Sequence, residues 1–353
     1  MAIKPSIMIV YGGGGTEHEV SMISARYIIE TLQDGMDMDV YEVLINHRGV
    51  WNLKNGLTPD VPCFLKPGKV LSVQSKDGVK DISKDITTDI SIDLAIPCIH
   101  GPPGETGDIQ SHFGMYGIPF LGASPEASIL CFNKVSTKLW LNALKIPNTP
   151  FVFLDALNEK NLQLASDFFQ RTGKQPEVFV KASSQGSSVG CYPASSLAEL
   201  KTAITSAFEY SPYVLVEKRL QARELEISVF EYKGEIHTSY PGEIVCPGKF
   251  YSYEEKYSST SSTSTVVQAP NLTKTVVEEM QNYARKAFLG LKIRHLSRID
   301  FFLTDQQEIF VNEINTFPGL TPISMFPKMM EATGITFASF LEDAIGRLLK
   351  ANQ

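Results

Sequence analysis

The chain has 353 residues, 43% of them hydrophobic and 20% charged, which is enough for two or three domains with ordinary cores. Its 32 Lys and Arg residues against 39 Asp and Glu residues give a net charge of −7. This balance argues against nucleic acids and anionic membranes as partners, because both attract proteins that carry an excess of Lys and Arg.

The first third of the chain alternates strands and helices. Residues 7–11 predict a buried strand, and residues 20–32 predict an amphipathic helix after four glycines. Further strands are expected at residues 39–45 and 93–99, whereas the polar stretch 60–90 predicts irregular strands and loops. Strand–helix alternation of this kind favours a parallel sheet covered by helices.

Two further regions follow. A helix at residues 134–144 opens the second region, which continues with a strand at 177–182. The third region begins with a hairpin, formed by residues 224–232 and 235–240 around a Lys-Gly turn. A helix at residues 337–350 is predicted to close the chain.

The cysteines and the N-terminal segment indicate a cytoplasmic protein. The five cysteines are Cys63, Cys98, Cys131, Cys191 and Cys246, which lie far apart and form no C-x-x-C motif. A disulfide framework or a thiolate zinc site is therefore not expected, and a reducing compartment is. The first residues lack the apolar core of a signal peptide, and no run of about 18 apolar residues predicts a membrane span.

The strands predicted at residues 298–303 and 308–315 form the most informative hairpin. Pairing about a turn at residues 306–307 places Asp300 opposite Glu313 and Arg298 opposite Asn315, with all four side chains on one face. Two facing carboxylates repel each other unless a cation lies between them.

This donor set predicts a particular metal. Oxygen ligands from Asp, Glu and Asn suit Mg²⁺ better than zinc, and Arg298 adds a fixed positive charge suited to an anionic transition state. The alternative is a solvated face of an edge hairpin, because Asn312 and Asp305 place polar residues off this face as well.

A run of four glycines at residues 12–15 separates a strand from a helix. It matches neither the G-x-G-x-x-G dinucleotide motif nor the P-loop motif. Glu17 and Glu19 stand where a phosphate would lie, so the loop is better suited to an ammonium group. A structural strand-to-helix turn is the alternative.

Two lysines are candidates for binding phosphate. Lys181 ends a buried strand and precedes a loop of small residues at 182–190, whose N–H groups and hydroxyls suit a flap over a triphosphate. A hairpin loop without a ligand is equally compatible with this pattern. Lys134 is a second candidate cation, although alone it is only a surface lysine.

Two other segments have the composition of ligand-binding loops. Residues 214–220, followed by Glu224, suit a hinge that offers backbone groups to an adenine and a carboxylate to a ribose; an ordinary strand end is the alternative. Residues 100–107 are rich in glycine and follow a strand, where the ligand crevices of open α/β sheets lie. A plain connecting loop explains them equally well.

Eight segments taken together resemble, in order, the D-alanine–D-alanine ligases of the ATP-grasp superfamily. They are GGGGTEHEVS (12–21), HGPPGETG (100–107), FNKVSTK (132–138), VKASSQGSSVG (180–190), VEKRLQARE (216–224), EEKY (254–257), SRIDFF (297–302) and NEINTFPGLTPISMFP (312–327).

The resemblance implies a mixed α/β (α+β) protein with the three-domain ATP-grasp fold. The N-terminal parallel α/β domain would span residues 1–132, the central ATP-grasp subdomain 133–217, and the C-terminal subdomain, with the metal and substrate site, 218–353. ATP would lie between the last two, and a homodimer is implied.

The resemblance also assigns residues to ligands. ATP would be bound by Lys134, Lys181, Glu217, Leu220, Glu224 and Lys256. Two Mg²⁺ ions, with Mn²⁺ as a substitute, would be held by Asp300, Glu313 and Asn315. D-alanine would be bound by Glu17, His100, Arg298, Gly319 and Ser324.

Six residues would serve the reaction directly. They are Glu17, Ser187, Tyr257, Arg298, Gly319 and Ser324. Glu17 would orient the first ammonium group, and Ser187 and Tyr257 would link that site to the loop at 251–265. Arg298 and the Gly319 N–H group would stabilise the oxyanion, and Ser324 would hold the second carboxylate.

The implied reaction makes D-alanyl-D-alanine for peptidoglycan synthesis through an acyl phosphate. The intermediate must be shielded from water, so the loop at 251–265 is predicted to act as a lid. The adjacent pair Lys256 and Tyr257 favours D-alanine as the second substrate. A D-Ala-D-Ser ligase, an L-dipeptide ligase and a catalytically silent nucleotide-binding protein are the alternatives.

The sequence departs from the usual family pattern at five positions. These are Gly15, Thr106, Ser111, Asn133 and Ala182. None of them is a predicted metal ligand or phosphate lysine, so they affect the expected shape of the substrate and adenine pockets rather than the type of reaction.

Overall fold

The computed structural model describes residues 4–54, 60–75, 86–174, 176–245 and 264–351. The strands of these ranges are β1 (Ser6–Gly12), β2 (Asp39–Ile45), β3 (Trp51–Leu53), β4 (Val61–Lys66), β5 (Val70–Ser75), β6 (Ile86–Ser91), β7 (Leu94–Cys98), β8 (Phe151–Leu154), β9 (Val178–Ala182), β10 (Cys191–Ala194), β11 (Val214–Lys218), β12 (Ala222–Tyr232), β13 (Glu235–Thr238), β14 (Gly242–Val245), β15 (Ser264–Val266), β16 (Leu296–Thr304) and β17 (Ile309–Asn315). The helices are α1 (His18–Gly35), α2 (Asp108–Met115), α3 (Pro125–Phe132), α4 (Lys134–Ala143), α5 (Glu159–Arg171), α6 (Leu197–Ala207), α7 (Lys274–Gly290), α8 (Met325–Glu331) and α9 (Phe337–Ala351). Within the described part of the chain, no helix combines the length and the apolar character needed to cross a membrane.

The first sheet has seven strands in the order β6-β5-β4-β3-β2-β1-β7. The predicted parallel arrangement is confirmed for β2, β1 and β7, whereas the other four strands join antiparallel. The stretch at 60–90, expected to be irregular, forms three regular strands in its described part. Between β4 and β5 the connection has only three residues, 67–69, and two strands joined by so short a turn pair antiparallel.

The second and third sheets hold the predicted hairpins. The second has the order β10-β9-β11-β8, and the third has the order β15-β14-β12-β16-β17, with β13 paired to β12. The hairpin of β12 and β13 pairs Tyr232 with Glu235, as predicted. All pairings in these two sheets are antiparallel.

The strands β16 and β17 pair in the predicted register at the end that carries the predicted metal ligands. Arg298 pairs with Asn315 and Asp300 pairs with Glu313. Beyond Asp300 the register shifts by one residue, which leaves Asn312 as the additional residue of a β-bulge. A bulge bends its strand and re-aims a side chain, so Asn312 does not follow the simple alternation.

The predicted helices are present with ends shifted by a few residues. Several described helices begin at a residue whose side chain accepts a hydrogen bond from the first turn, an arrangement that satisfies a backbone N–H group. These capping residues are Ser124 (α3), Asn133 (α4), Asn158 (α5), Ser196 (α6) and Thr273 (α7).

The boundaries of the hydrophobic cores differ from the boundaries of the sheets. The second sheet has a core of its own with α5 and α6, built only from residues between 152 and 216. By contrast, Ile7 and Ile96 of the first sheet share a core with Phe230 of the third sheet and with α9. The rings of Tyr27 and Phe337 stack across this junction with their centroids 5.2 Å apart. The first and third sheets therefore belong to one packed body.

The backbone conformation of Gly12, the last residue of β1, can be tested by substitution. Its φ is +92°, and an added Cβ would lie 2.4 Å from the carbonyl oxygen of Ile45. Gly12→Ala should lower the free energy of unfolding by about 2–4 kcal/mol, because the clash is with backbone and the conformation is unfavourable for alanine. The measurement is the midpoint of urea unfolding.

Gly35 supplies the matched control. A Cβ added there meets no atom within 4 Å, so Gly35→Ala should leave the midpoint unchanged or raise it slightly. Equal midpoints for the two variants would contradict the assigned conformation of Gly12.

Candidate functional site

A cavity of about 560 Å³ lies between the second and third sheets. We call it the inter-sheet cavity, and its volume is in the range of small-molecule sites. Most of the residues predicted to bind nucleotide or metal line it: Lys134, Lys181, Glu217, Leu220, Glu224, Asp300 and Glu313. Two predicted catalytic residues, Ser187 and Arg298, line it as well, whereas the predicted metal ligand Asn315 does not. The segment between β11 and β12, which joins the two sheets, also forms part of its wall. The segment predicted as a hinge therefore connects the two sheets at the cavity wall.

A buried carboxylate organises the lysines of this cavity. Glu217 is only 2% exposed, and its two oxygens lie 2.7 Å from Lys138 Nζ and 2.5 Å from Lys181 Nζ. Burial opposes ionisation, but the two ammonium groups outweigh it and lower the pKa of Glu217 to about 2. Glu217 is thus a permanent anion that positions both lysines.

The two predicted phosphate lysines meet groups from different elements. Lys181 Nζ also donates to Asn312 Oδ1 at 3.2 Å, so the bulge of β17 contacts the second sheet. Lys134 Nζ donates to the carbonyl oxygen of Gln185 at 2.7 Å and lies 3.7 Å from Glu313 Oε2. Both ammonium groups are therefore held at the wall of the cavity by neighbouring oxygens.

The predicted metal ligands lie beside Arg298. The Arg298 guanidinium donates to both oxygens of Asp300 at 2.7 Å and lies 3.2 Å from Glu226. Asn315 Nδ2 donates to Asp300 at 3.2 Å. Burial disfavours the charge of Arg298, yet Asp300 and Glu226 raise its pKa well above the usual value. The cluster is a set of oxygen donors closed by a permanent cation.

A second cavity, of about 350 Å³, lies at the glycine-rich loop after β1. We call it the first-loop cavity. Its lining includes Glu17, His100 and Gly186, and Gly186 also lines the inter-sheet cavity. Ser187 Oγ donates to Glu17 Oε1 at 2.7 Å. The loop after β9 therefore separates the two cavities and fixes the Glu17 carboxylate in one of them.

Only one of the two acids in this loop faces the first-loop cavity. Glu19 is exposed and does not line it, because Glu19 already belongs to helix α1 and points away. Of the two acids that follow the glycines, only Glu17 is therefore placed to meet a ligand in this cavity.

His100 and Glu105 form a neutral pair behind the first-loop cavity. His100 Nδ1 lies 4.0 Å from Glu105 Oε1. Burial lowers the pKa of His100, and burial together with the charge of Glu17 raises the pKa of Glu105 to about 8. Since both shifts favour the uncharged forms, the contact is not an ion pair at neutral pH.

The segment that holds Gly319 and Ser324 reaches the same region. Ser24 Oγ bonds to His100 Nε2 at 3.0 Å and accepts from the N–H group of Leu320 at 3.4 Å. A Cβ added at Gly319 would lie 2.9 Å from Ser324 Oγ, so the two predicted substrate residues are close to each other. The structure therefore brings the N-terminal loops and the C-terminal segment together around one region.

The sequence matches two family models over most of its length. They are described as D-ala D-ala ligase N-terminus, over residues 6–123, and D-ala D-ala ligase C-terminus, over residues 140–346. The chain belongs to the D-alanine–D-alanine ligase family. Ligases of this name from Shewanella frigidimarina and Aliivibrio fischeri are 43% and 46% identical to it, over 98% of this chain and over 98% and 99% of theirs.

Solved structures of this family support the same assignment. The D-alanyl-alanine synthetase A from Vibrio cholerae has a TM-score of 0.88 and 44% identity, over 99% of both chains. The D-Ala:D-Ser ligase from Enterococcus faecalis has a TM-score of 0.83 and 26% identity, over 98% of this chain and 99% of that one. The ATP-grasp fold expected from the sequence is confirmed, and ATP dependence is a property of the family.

Two residues expected from the family resemblance cannot be placed. Lys256 and Tyr257 lie outside the described residues, together with most of the loop at 251–265. The lid and the preference for the second substrate that were inferred from this pair stay predictions.

Sequence reasoning missed Lys138, Glu105 and Asn312. Lys138 follows Lys134 by four residues, and this spacing on a helix was the available signal that both lysines face the same side. Asn312 was judged to lie off the binding face, because the alternation was extended through a bulge that sequence does not reveal. Glu105 stands within a recognised glycine-rich loop, but its burial depends on distant residues.

The raised pKa of Glu105 predicts a pH-dependent stability. An unfolded glutamate has a pKa of about 4.3, whereas that of Glu105 is about 8 in the folded protein. Between these values the folded state binds a proton that the unfolded state has lost, so stability falls as pH rises. Glu105→Gln lacks this proton, and its melting temperature relative to the unmodified protein should increase from pH 5 to 8 and then level off. A difference that is constant across this range, measured by thermal unfolding, would contradict the assignment.

Proposed function

We propose that this protein joins two D-alanine molecules to D-alanyl-D-alanine, with ATP as the energy source, for the synthesis of peptidoglycan precursors. The main observation is the pair of adjoining cavities. One is lined by two lysines and a set of oxygen donors, the other contains a fixed carboxylate, and the loop after β9 contributes to both. The names and high identity of the relatives support the same reaction.

The inter-sheet cavity suits ATP with bound magnesium. Lys134 and Lys181 would contact the phosphates, while Leu220 and Glu224 at the connection to β12 would contact the adenosine. Asp300, Glu313 and Asn315 supply carboxylate and amide oxygens, which are the ligands that Mg²⁺ prefers. Bound there, Mg²⁺ would neutralise phosphate charge.

The first-loop cavity suits the first D-alanine. Its ammonium group would pair with the Glu17 carboxylate, which Ser187 orients. Its carboxylate would then face the loop at Gly186 and Ser187, beyond which the inter-sheet cavity begins. This arrangement would place a nucleophilic oxygen next to the terminal phosphate, and positioning of this kind is the main requirement of phosphoryl transfer.

The second half of the reaction forms the peptide bond. The amine of the second D-alanine would form a C–N bond to the carbonyl carbon of D-alanyl phosphate. The C–O bond to the phosphate would then break, and the proton lost by the amine would leave with the inorganic phosphate. Arg298 and the Gly319 N–H group would stabilise the negative oxygen of the tetrahedral intermediate. Ser324 would hold the carboxylate of the second D-alanine.

We further propose the expected organisation of the protein. The separate core of the second sheet, from residue 152 to residue 216, supports most of a distinct central unit at residues 133–217, with 1–132 and 218–353 as the flanking domains. Leu141 and Ile146, near the start of this unit, pack in the core of the third sheet instead. The described cysteines, Cys63, Cys98, Cys131 and Cys191, are all free thiols, which supports a cytoplasmic location. A homodimer is proposed from the family resemblance alone.

A substrate panel tests the function. With ATP and Mg²⁺, D-alanine alone should release ADP and give D-alanyl-D-alanine, identified by mass spectrometry. Adding D-serine to D-alanine should yield little mixed dipeptide. Pairs of L-amino acids should release no ADP. ADP release only with L-amino acids would disprove the proposal, and a dominant D-Ala-D-Ser product would identify the other ligase type. ATP binding without turnover would indicate a silent nucleotide-binding protein.

The metal assignment has a separate test. Glu313→Gln should lower kcat about 100-fold or more, because it removes a carboxylate ligand of the Mg²⁺ that would neutralise the phosphate charge. Its melting temperature should stay near that of the unmodified protein, since Glu313 is partly exposed. Glu308→Gln, on the exposed start of the same hairpin, is the matched control and should retain full activity. Near-normal turnover of Glu313→Gln would overturn the assignment.

A further inference from the structure

Three potential metal ligands converge outside both cavities. His18 and Glu19 are the first residues of helix α1, and His47 lies in the turn after β2. One ligand atom from each of the three side chains lies within 4.8 Å of the other two. None of the three lines the inter-sheet cavity or the first-loop cavity. The proposed ligation reaction therefore leaves this cluster without a role.

His18 is held in the manner of a metal-binding histidine. It is 7% exposed, and its Nδ1 lies 2.6 Å from the carbonyl oxygen of Gly13. Because a carbonyl oxygen can only accept, Nδ1 carries a proton, which makes Nε2 the ring nitrogen that can bind a metal. Histidines bound to metals usually donate their other ring N–H group in this way, which fixes both the tautomer and the ring orientation.

His47 is positioned by a tight turn. Asn46 Oδ1 accepts hydrogen bonds from the N–H groups of Arg48 at 2.9 Å and Val50 at 3.0 Å. The N–H group of Gly49 donates to the carbonyl oxygen of Asn46 at 2.9 Å. The imidazole of His47 stacks on that of His18, with ring centroids 4.0 Å apart. Both imidazoles therefore occupy ordered positions next to Glu19.

The chemistry of this cluster differs from that of the hairpin. Two imidazoles and one carboxylate form the three-ligand set of open zinc sites, in which water or another small ligand completes the tetrahedron. Asp300, Glu313 and Asn315 offer only oxygen, which suits Mg²⁺. The two donor sets should therefore select different ions from a mixture.

We propose that His18, Glu19 and His47 bind one Zn²⁺ ion. The ion would join the start of α1 to the turn after β2. Since Glu17 directly precedes His18, the zinc site adjoins the segment that carries the carboxylate of the first-loop cavity.

Titration calorimetry of the full-length protein tests this site. Metal-free protein is first saturated with MgCl₂, so that the oxygen-only ligands are occupied, and ZnCl₂ is then added. One Zn²⁺ per chain should bind. His47→Ala should weaken binding at least about 10-fold, because one of three ligands is lost. Its melting temperature without zinc should fall only slightly, since His47 is exposed and loses only its stacking on His18.

Two matched variants distinguish this site from its neighbours. Arg48→Ala alters the adjacent side chain of the same turn and should bind Zn²⁺ like the unmodified protein. Glu313→Gln should also keep the Zn²⁺ affinity, since Glu313 belongs to the oxygen-only set. CoCl₂ in place of ZnCl₂ should give a visible absorption band, absent from His47→Ala. The proposal is overturned if no Zn²⁺ binds in the presence of Mg²⁺, if His47→Ala binds it unchanged, or if Glu313→Gln alone abolishes binding.

Discussion

The Glu217 carboxylate lies buried between the ammonium groups of Lys138 and Lys181, and the charged wall of the inter-sheet cavity is built around this contact. A buried charge left without its partner costs about 3–5 kcal/mol, so each group constrains the position of the others. The three side chains come from β11, α4 and β9. One electrostatic requirement therefore fixes the relative placement of three elements, and through Lys181 and Asn312 it extends to the third sheet.

Three cations at the wall of this cavity each lie beside an acid of the protein itself. Lys134 lies near Glu313, Lys181 contacts Glu217, and Arg298 holds Asp300. A triphosphate that entered would compete with these carboxylates for the same cations. Metal ions on the freed acids would restore the charge balance, so the proposed nucleotide site would use both its lysines and its acidic groups.

The predictable parts of this structure are those set by local rules. Side-chain alternation and a short turn were enough to pair Asp300 with Glu313, and the 3.6-residue period located the main helices. The bulge at Asn312, the burial of Lys138 and Glu105 and the bond from Ser187 to Glu17 depend on residues far apart in the chain, for which a single sequence carries no direct signal. Local composition predicts irregular structure for residues 60–90. The described part of this stretch forms regular strands instead, because pairing within the sheet, rather than local propensity, orders them.

The separate core of the second sheet also bears on how the chain folds. The strands through which the chain enters and leaves this unit lie side by side, with Phe151 paired to Glu217 and the N–H group of Lys218 donating to Pro150. The unit is thus an insertion whose two ends meet, within a body whose own core needs both Ile7 and Phe340. During synthesis the inserted unit can complete its core as soon as its last strand has been made. The core of the surrounding body contains residues of the C-terminal helix, so during synthesis this body would complete its core only after the inserted unit has been made.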